Sequence, residues 1–338
     1  MPPGTRTVLE LVDAGFVSAS LGAALELGLF WLLDERPQPI TAIARQLGIP
    51  PVRCGYWLQM LVHAGLIDEG RDGFRPSSTA RTAILGAYSR ETWGLLAQEA
   101  RERLPVPVDF VRLLSGDGTP GEPKKAGRPD YVTLMAADSE RARRFTRMLY
   151  ELHRPVADKL ARRIDMAGVG RMVDVGGGSG VVSMALARQH SALAATVVDL
   201  ATVCDAGREL AIENGLENRV TYHAADFQRD DLPGGFDLAL MCDVGVYGPA
   251  VFGRIGAALN RHGRLVVADT FAPASGIPPA SRLIWAFERS LTDPGHIPPT
   301  AEYVQGLLDA AGFRVRSCDE LRLPDEPDPL TVIDAERR

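Results

Sequence analysis

Met172-Val173-Asp174-Val175-Gly176-Gly177-Gly178-Ser179-Gly180 is the stretch whose reading decides the fold. A short apolar strand carries Asp174 at its end, turns through Gly176, Gly177 and Gly178, and opens a helix at Gly180. Glycines let a backbone approach a ligand closely and adopt positive φ. The following helix start presents unpaired N–H groups and a partial positive charge, which suits a carboxylate or a pyrophosphate. Two cofactor types compete. A dinucleotide loop has a third Gly where this chain has Val181, and a Walker loop needs a Lys that is missing. A triple Gly after an Asp-bearing strand fits S-adenosylmethionine (SAM) better.

Downstream acids extend the pattern. Asp199 closes the next apolar strand, where a carboxylate can accept hydrogen bonds from two ribose hydroxyls. Asp226 and Phe227 follow the third strand, where an acid beside an aromatic can bind an adenine amino group and cover its ring. Either acid alone could equally cap the helix that follows it.

From Arg171 onward, strands at Met172–Val175, Ala195–Asp199, Val220–His223, Leu238–Cys242, Leu265–Asp269, Phe313–Cys318 and Thr331–Asp334 alternate with helical stretches. The helices fall at Val181–Gln189, Val203–Asn214, Pro249–Asn260, Pro279–Leu291 and Ala301–Ala311. This alternation predicts an α/β domain, a mostly parallel sheet with helices on both faces. Ligands of such sheets bind at the carboxyl ends of the strands.

Upstream, helices are expected at Tyr131–Tyr150 and Val156–Met166, interrupted by Pro155. Residues 115–130 hold four Gly and three Pro and read as an irregular connector. The N-terminal portion begins with a helix from Val8 into Leu33 that is apolar on all faces, so it needs cover on every side. A helix Ile40–Gly48, a helix Val52–Ala64 and a two-strand hairpin around Asp72-Gly73 follow, in winged-helix order. Residues 1–95 carry eight Arg and no Lys against nine acids, and the Val52–Ala64 helix offers only Arg53 as a fixed cation. A DNA reader needs several cations on that face, so packing or dimerisation is the expected role. Three regions result: 1–95 helical and winged-helix, 96–165 a helical connector and cavity wall, and 166–338 the cofactor-binding domain.

The 338 residues are 46% apolar and 24% charged, an ordinary globular composition. A net charge of −6 supplies no global attraction to nucleic acid or anionic lipid. Cys54, Cys204, Cys242 and Cys318 lie far apart, so neither a metal site nor a disulfide framework is expected. The first residues lack a secretory signal pattern, and the Phe16 to Leu33 stretch is cut by Ser18, Ser20, Gly22, Glu26 and Gly28. A cytoplasmic protein without a membrane partner is expected.

Val173–Gly180 (VDVGGGSG), Val197–Val203 (VVDLATV), Ala224–Phe227 (AADF), His262–Pro273, Glu302–Phe313 and Asp328–Arg338 together resemble the small-molecule O-methyltransferase-like family of class I SAM-dependent methyltransferases. The resemblance spans nearly the whole chain. It implies a Rossmann-like catalytic domain, an N-terminal dimerisation domain, a homodimer, SAM as cofactor and a small natural-product substrate. The SAM positions it carries over are Asp174, Gly176, Gly178, Asp199, Leu200, Asp226, Phe227 and Cys242. Substrate positions are Met135, Met148, Asp243, Val246 and Trp285, with Phe145 and Phe287 as further apolar candidates.

One departure stands out. The family's catalytic His lies nine residues after a strand-initial Asp; here that Asp is Asp237 and the ninth residue is Val246, which transfers no proton. Tyr247 and Gly248 replace the Asp-Trp pair that follows, and a later family Glu aligns with Pro298. Asp269 survives on the next strand. His296, beside Pro298, and Tyr247 are the candidate replacements, with Asp269 as acidic partner. His153 and the Arg141, Arg143, Arg144 and Arg147 face read as structural. Loss of the base leaves three acceptors open: a carbon, an amine, or a phenol that arrives ionised. The expected function is SAM-dependent methylation of a small aromatic or polyketide-like intermediate. The alternatives are a SAM-binding relative with hydroxylase, decarboxylase or cyclase chemistry and, more remotely, a winged-helix regulator.

Overall fold

The computed structural model describes residues 4–104, 108, 110–114, 131–293, 295–323 and 328–338. The chain divides into two compact units, Met1–Asp117 and Gly118–Arg338. The expected connector 96–165 is shared between them: the Arg90–Glu102 helix packs on Thr5–Leu27 in the first, and Ser139–Arg163 packs within the second. The Gly- and Pro-rich stretch 115–130 lies outside the described residues.

In the first unit, helices Thr5–Leu27, Leu29–Glu35, Ile40–Leu47 and Pro51–His63 precede strands β1 (Ile67–Gly70) and β2 (Gly73–Pro76). The strands pair antiparallel from Ile67↔Pro76 to Gly70↔Gly73 around Arg71-Asp72. The expected continuous N-terminal helix is broken at Gly28. Its φ of +74 lies in the left-handed region, and a Cβ there would fall 2.2 Å from the Arg90 guanidinium. The core gathers Leu29, Phe30, Leu33, Ile43, Leu58, Leu61 and Phe74. The first half of Thr5–Leu27 takes no part in it: Val8, Leu9, Leu11, Val12 and Phe16 are all more than half exposed. By length and composition this helix is also apolar enough to cross a membrane.

The second unit is built on a seven-stranded sheet in the order β5-β4-β3-β6-β7-β9-β8. The strands are β3 (Arg171–Val175), β4 (Ala194–Asp199), β5 (Val220–Ala224), β6 (Phe236–Cys242), β7 (Leu259–Asp269), β8 (Phe313–Leu321) and β9 (Leu330–Arg337). The first five run parallel, and β9 lies antiparallel to both β7 and β8. Alternation along each strand feeds two cores. Met172, Leu238, Leu240 and Val266 face the Ser139–Arg163 and Val181–Gln189 helices. Val173, Ala239, Met241 and Val267 join Phe252, Ile255 and Leu308 on the other face.

One expected break is absent. A single helix, Ser139–Arg163, runs through Pro155. Proline in a helix interior forfeits one backbone hydrogen bond and costs about 3 kcal/mol. Here the helix is held by buried residues on both sides of that position, Ala142, Thr146 and Met148 before it and Ala157, Leu160 and Ala161 after it, and this burial outweighs that cost. The break falls instead at Asp138, whose side chain accepts from the Arg141 N–H at 3.0 Å. Arg143 pairs with Glu209 at 2.7 Å and Arg147 with Glu213 at 2.7 Å, tying this helix to Ala201–Glu213. The expected Pro279–Leu291 helix starts late, as a 3-10 turn Ala280–Arg282 leading into Leu283–Thr292.

Candidate active site

Strand order reverses at β3, and the registers bring Asp174, Asp199, Ala224, Cys242 and Asp269 to the carboxyl ends of neighbouring strands. Such a switch point opens a crevice for ligands. The glycine loop crosses it with Gly176, Gly178 and Gly180 at φ +68, +56 and +73. A Cβ on Gly176 would sit 3.1 Å from Val244 and 3.3 Å from Phe227; one on Gly180 would sit 2.5 Å from the Tyr222 hydroxyl. Tyr222 is a support the sequence reading missed. Gly207 makes room for its ring, and its hydroxyl donates to the Ser179 carbonyl at 2.8 Å beneath the loop.

Two buried carboxylates frame this loop. Asp199 accepts from Gly178 N–H at 2.9 Å and Leu200 N–H at 2.8 Å. Asp174 accepts from Ser183 Oγ at 2.7 Å on one oxygen, while Oδ1 is buried without a partner. Burial pushes both carboxyls up to about 6. A carboxylate oxygen enclosed without a donor suits a ligand that brings an ammonium or N–H group. Asp226 accepts from Gln228 N–H at 3.0 Å and lies 3.6 Å from Arg229. Phe227 stands against the loop.

A second constellation occupies the ends of β6 and β7. Tyr247 donates its hydroxyl to Asp269 Oδ2. Thr270 N–H donates to Asp269 Oδ1 at 2.7 Å, and Arg282 reaches the same oxygen at 3.5 Å. Arg282 also pairs with Asp243 Oδ1, while His153 Nε2 lies 3.5 Å from Asp243 Oδ2. Asp243 itself has a left-handed φ of +54. Burial would raise its carboxyl, but His153 and Arg282 prevail and hold it below the usual range. Asp269 is raised, first by burial and then by Asp243. Burial and Asp269 hold the Tyr247 phenol far above its ordinary range, so it keeps its proton and serves as a hydrogen-bond donor rather than as a base. Burial and the carboxylates of Asp243, Asp174 and Asp269 keep Cys242 a thiol. Arg282 carried no signal in the sequence, where it read as one more helical residue.

The remaining candidates lie apart from these contacts. Met135 is buried against Ala142 and Val203, with its carbonyl accepting from Thr202 at 3.0 Å; Met148 is also buried. Val246 is half-buried. Trp285 meets His296 edge-on at 5.4 Å and carries Arg289 over its ring. His296 Nε2 is enclosed without a partner. Among the described residues no group of three or more His, Cys, Asp or Glu is placed to hold a metal ion.

A family model for an O-methyltransferase domain matches residues 123–314, more than half of the chain. The chain belongs to this family. This methyltransferase is 29% identical over 322 residues to the N,N-dimethyltransferase OxyT of Streptomyces rimosus, covering 94% of this chain and 92% of that protein. It is 30% identical to the demethylspheroidene O-methyltransferase of Cereibacter sphaeroides, covering 92% and 83%. The solved structure of PigF with SAH matches with a TM-score of 0.82 at 20% identity, over 98% and 99% of the two chains, and shows a shared fold. The chain is thus a SAM-dependent methyltransferase of the class I fold. The enclosed Asp174 oxygen and the glycine cradle fit SAM, which Asp174, Gly176, Gly178, Asp199 and Phe227 would hold.

Proposed function

We propose that this methyltransferase modifies a small aromatic or polyketide-like natural-product intermediate, at carbon, nitrogen or a phenolic oxygen. The observation that carries this reading is the glycine cradle framed by buried Asp174 and Asp199 beside the β6 and β7 ends; Val246 is read here as the residue in place of the usual base. OxyT acts by name as an N,N-dimethyltransferase and the Cereibacter protein as an O-methyltransferase, which supports methyl transfer over hydroxylase, decarboxylase or cyclase chemistry.

When bound, SAM supplies an electrophilic methyl group. Asp199, held by two loop N–H groups, fixes the loop and presents its remaining lone pairs to ribose hydroxyls. Tyr247, braced by Phe252 and Phe271, keeps Asp269 and Arg282 in place at the acceptor side. Holding reactants at near-attack distance supplies most of the acceleration, and a positioned base adds about 10²–10⁴-fold.

A homodimer in the cytoplasm, acting on neither nucleic acid nor membrane, completes the reading. The exposed apolar face from Val8 to Val17 supports a second copy as its cover, with the helices and hairpin of the first unit as a winged-helix dimerisation domain. The test is incubation with methyl-labelled SAM and an extract in which candidate acceptors accumulate. Label should enter an organic-soluble product with stoichiometric release of S-adenosylhomocysteine (SAH). Substrate conversion without label would defeat the reading.

A further inference from the structure

We infer that His153, oriented by Asp243, takes the proton from the methyl acceptor in place of the base missing at Val246. This rests on the methyl-transfer reading above. Asp243 is shared between a fixed cation and an imidazole: Oδ1 meets Arg282 and Oδ2 meets His153 Nε2 at 3.5 Å. Catalytic hydrogen bonds are commonly this long before a substrate arrives. A carboxylate at Nε2 selects the tautomer protonated there and leaves the lone pair on Nδ1. It also stabilises the imidazolium that forms on proton uptake, the role a triad Asp plays. The neighbour of Asp243 in sequence is Val244, which abuts Gly176 of the cofactor loop. The dyad therefore stands one residue from the cradle.

Two of the competing groups are committed to other partners and the third is enclosed. Tyr247 donates to Asp269. Asp269 already accepts from Tyr247, Thr270 and Arg282. His296 Nε2 is enclosed beside Trp285, whereas 34% of the His153 side chain stays accessible. In the step assigned, the acceptor lone pair forms the bond to the methyl carbon as the carbon–sulfur bond breaks, leaving that electron pair on sulfur. The acceptor proton passes to His153 Nδ1 and from there to water. Asp243 and Arg282 act through His153 and are positioning residues. A base beside the cradle restores hydroxyl acceptors to the range of substrates.

Three measurements on the full-length protein decide this. Nitrogen-15 histidine spectra with SAH bound should show His153 protonated at Nε2, a preference lost in Asp243→Asn; the Nδ1-protonated tautomer would overturn the dyad. His153→Gln should lower the initial rate of label transfer from SAM into the extract at least tenfold, with SAH affinity by calorimetry within twofold of wild type. An unchanged rate, or a loss confined to His296→Gln, overturns the assignment. Should His153→Gln fail to bind SAH, Asp243→Asn carries the same expectation. A wild-type protein that moves no label defeats the methyl-transfer reading itself, which distinguishes that failure from failure of the dyad alone.

Discussion

Tyr247 and Asp269 meet across the ends of β6 and β7 through a hydrogen bond from phenol to carboxylate. The bond counters the burial that raises the Asp269 carboxyl. Tyr247→Phe removes the donor and should raise that carboxyl further. Leaving a buried carboxylate short of one hydrogen bond costs about 1–3 kcal/mol. A lowered melting temperature with a several-fold slower turnover is expected; unaltered values in both would show the pair to be dispensable.

The raised Asp174 and Asp199 carboxyls set a pH dependence. Each stands at about 6 in the folded protein against an ordinary 3.8. The folded state thus binds these protons more tightly than the unfolded chain. The contribution of these two groups to stability is therefore greatest below 3.8, falls as pH rises toward 6, and carries the full penalty above that, about 3 kcal/mol per group. Asp174→Asn should gain melting temperature over wild type at pH 7.5 and gain little at pH 4. Binding runs the other way. Affinity for SAM should drop as pH falls through 6, since a cationic ligand needs the charged carboxylate, and calorimetry in buffers of different ionisation enthalpy should record proton release.

Gly180→Ala confronts two obstacles at once, a φ of +73 and a Cβ 2.5 Å from the Tyr222 hydroxyl. Strain of this kind costs about 1–3 kcal/mol. Loss of SAH binding is expected even where the variant folds. Tyr222→Phe combined with it should recover part of the stability, because the clash is with the hydroxyl.

Arg264 lies nearly buried between β7 and β9, with Nε and Nη2 on the two Asp334 oxygens at 3.2 and 2.8 Å and Nη1 on the Asp165 carbonyl at 2.8 Å. Removing Arg264 leaves Asp334 to the longer contact with Arg316 at 3.8 Å, and breaking a buried pair of this kind costs about 3–5 kcal/mol. Arg264→Ala should lower denaturant stability by that order, and the double variant with Asp334→Ala should lose less than the sum of the singles. Additive losses would argue that the pair is not coupled.

Phe16→Glu places a charge on the exposed stripe of Thr5–Leu27. Light scattering should then report a monomer where the wild type gives a dimer. A wild-type monomer at micromolar concentration would remove the dimer from the proposed function.

The sheet was largely legible because its strands are apolar runs bounded by Gly, Asp and Pro. The expected strand Met172–Val175 differs from β3 by one residue, and Asp174, the glycine loop and Asp199 fall where their pattern placed them. What escaped reading depends on distance in the chain. Asp243 and His153 are brought together by sheet and helix packing, which no local spacing announces. Arg282 meets Asp243 from the 3-10 turn that opens the Leu283–Thr292 helix, a placement that no helical pattern in the sequence announces. Pro155 misled for the opposite reason: a local rule was overridden by burial of the helix on both sides of it.

The position of β9 bears on how this protein is made. Leu330–Arg337 is the latest described strand in the chain, yet it is inserted between β7 and β8. While the chain is still emerging from the ribosome, β7 has an open edge on that side, and β8 has no neighbour to bind. Exposed strand edges invite pairing with other chains. A nascent polypeptide stopped after Leu321 would hold most of its apolar core and still leave that flank unsealed, a species for chaperones and proteases rather than a working enzyme.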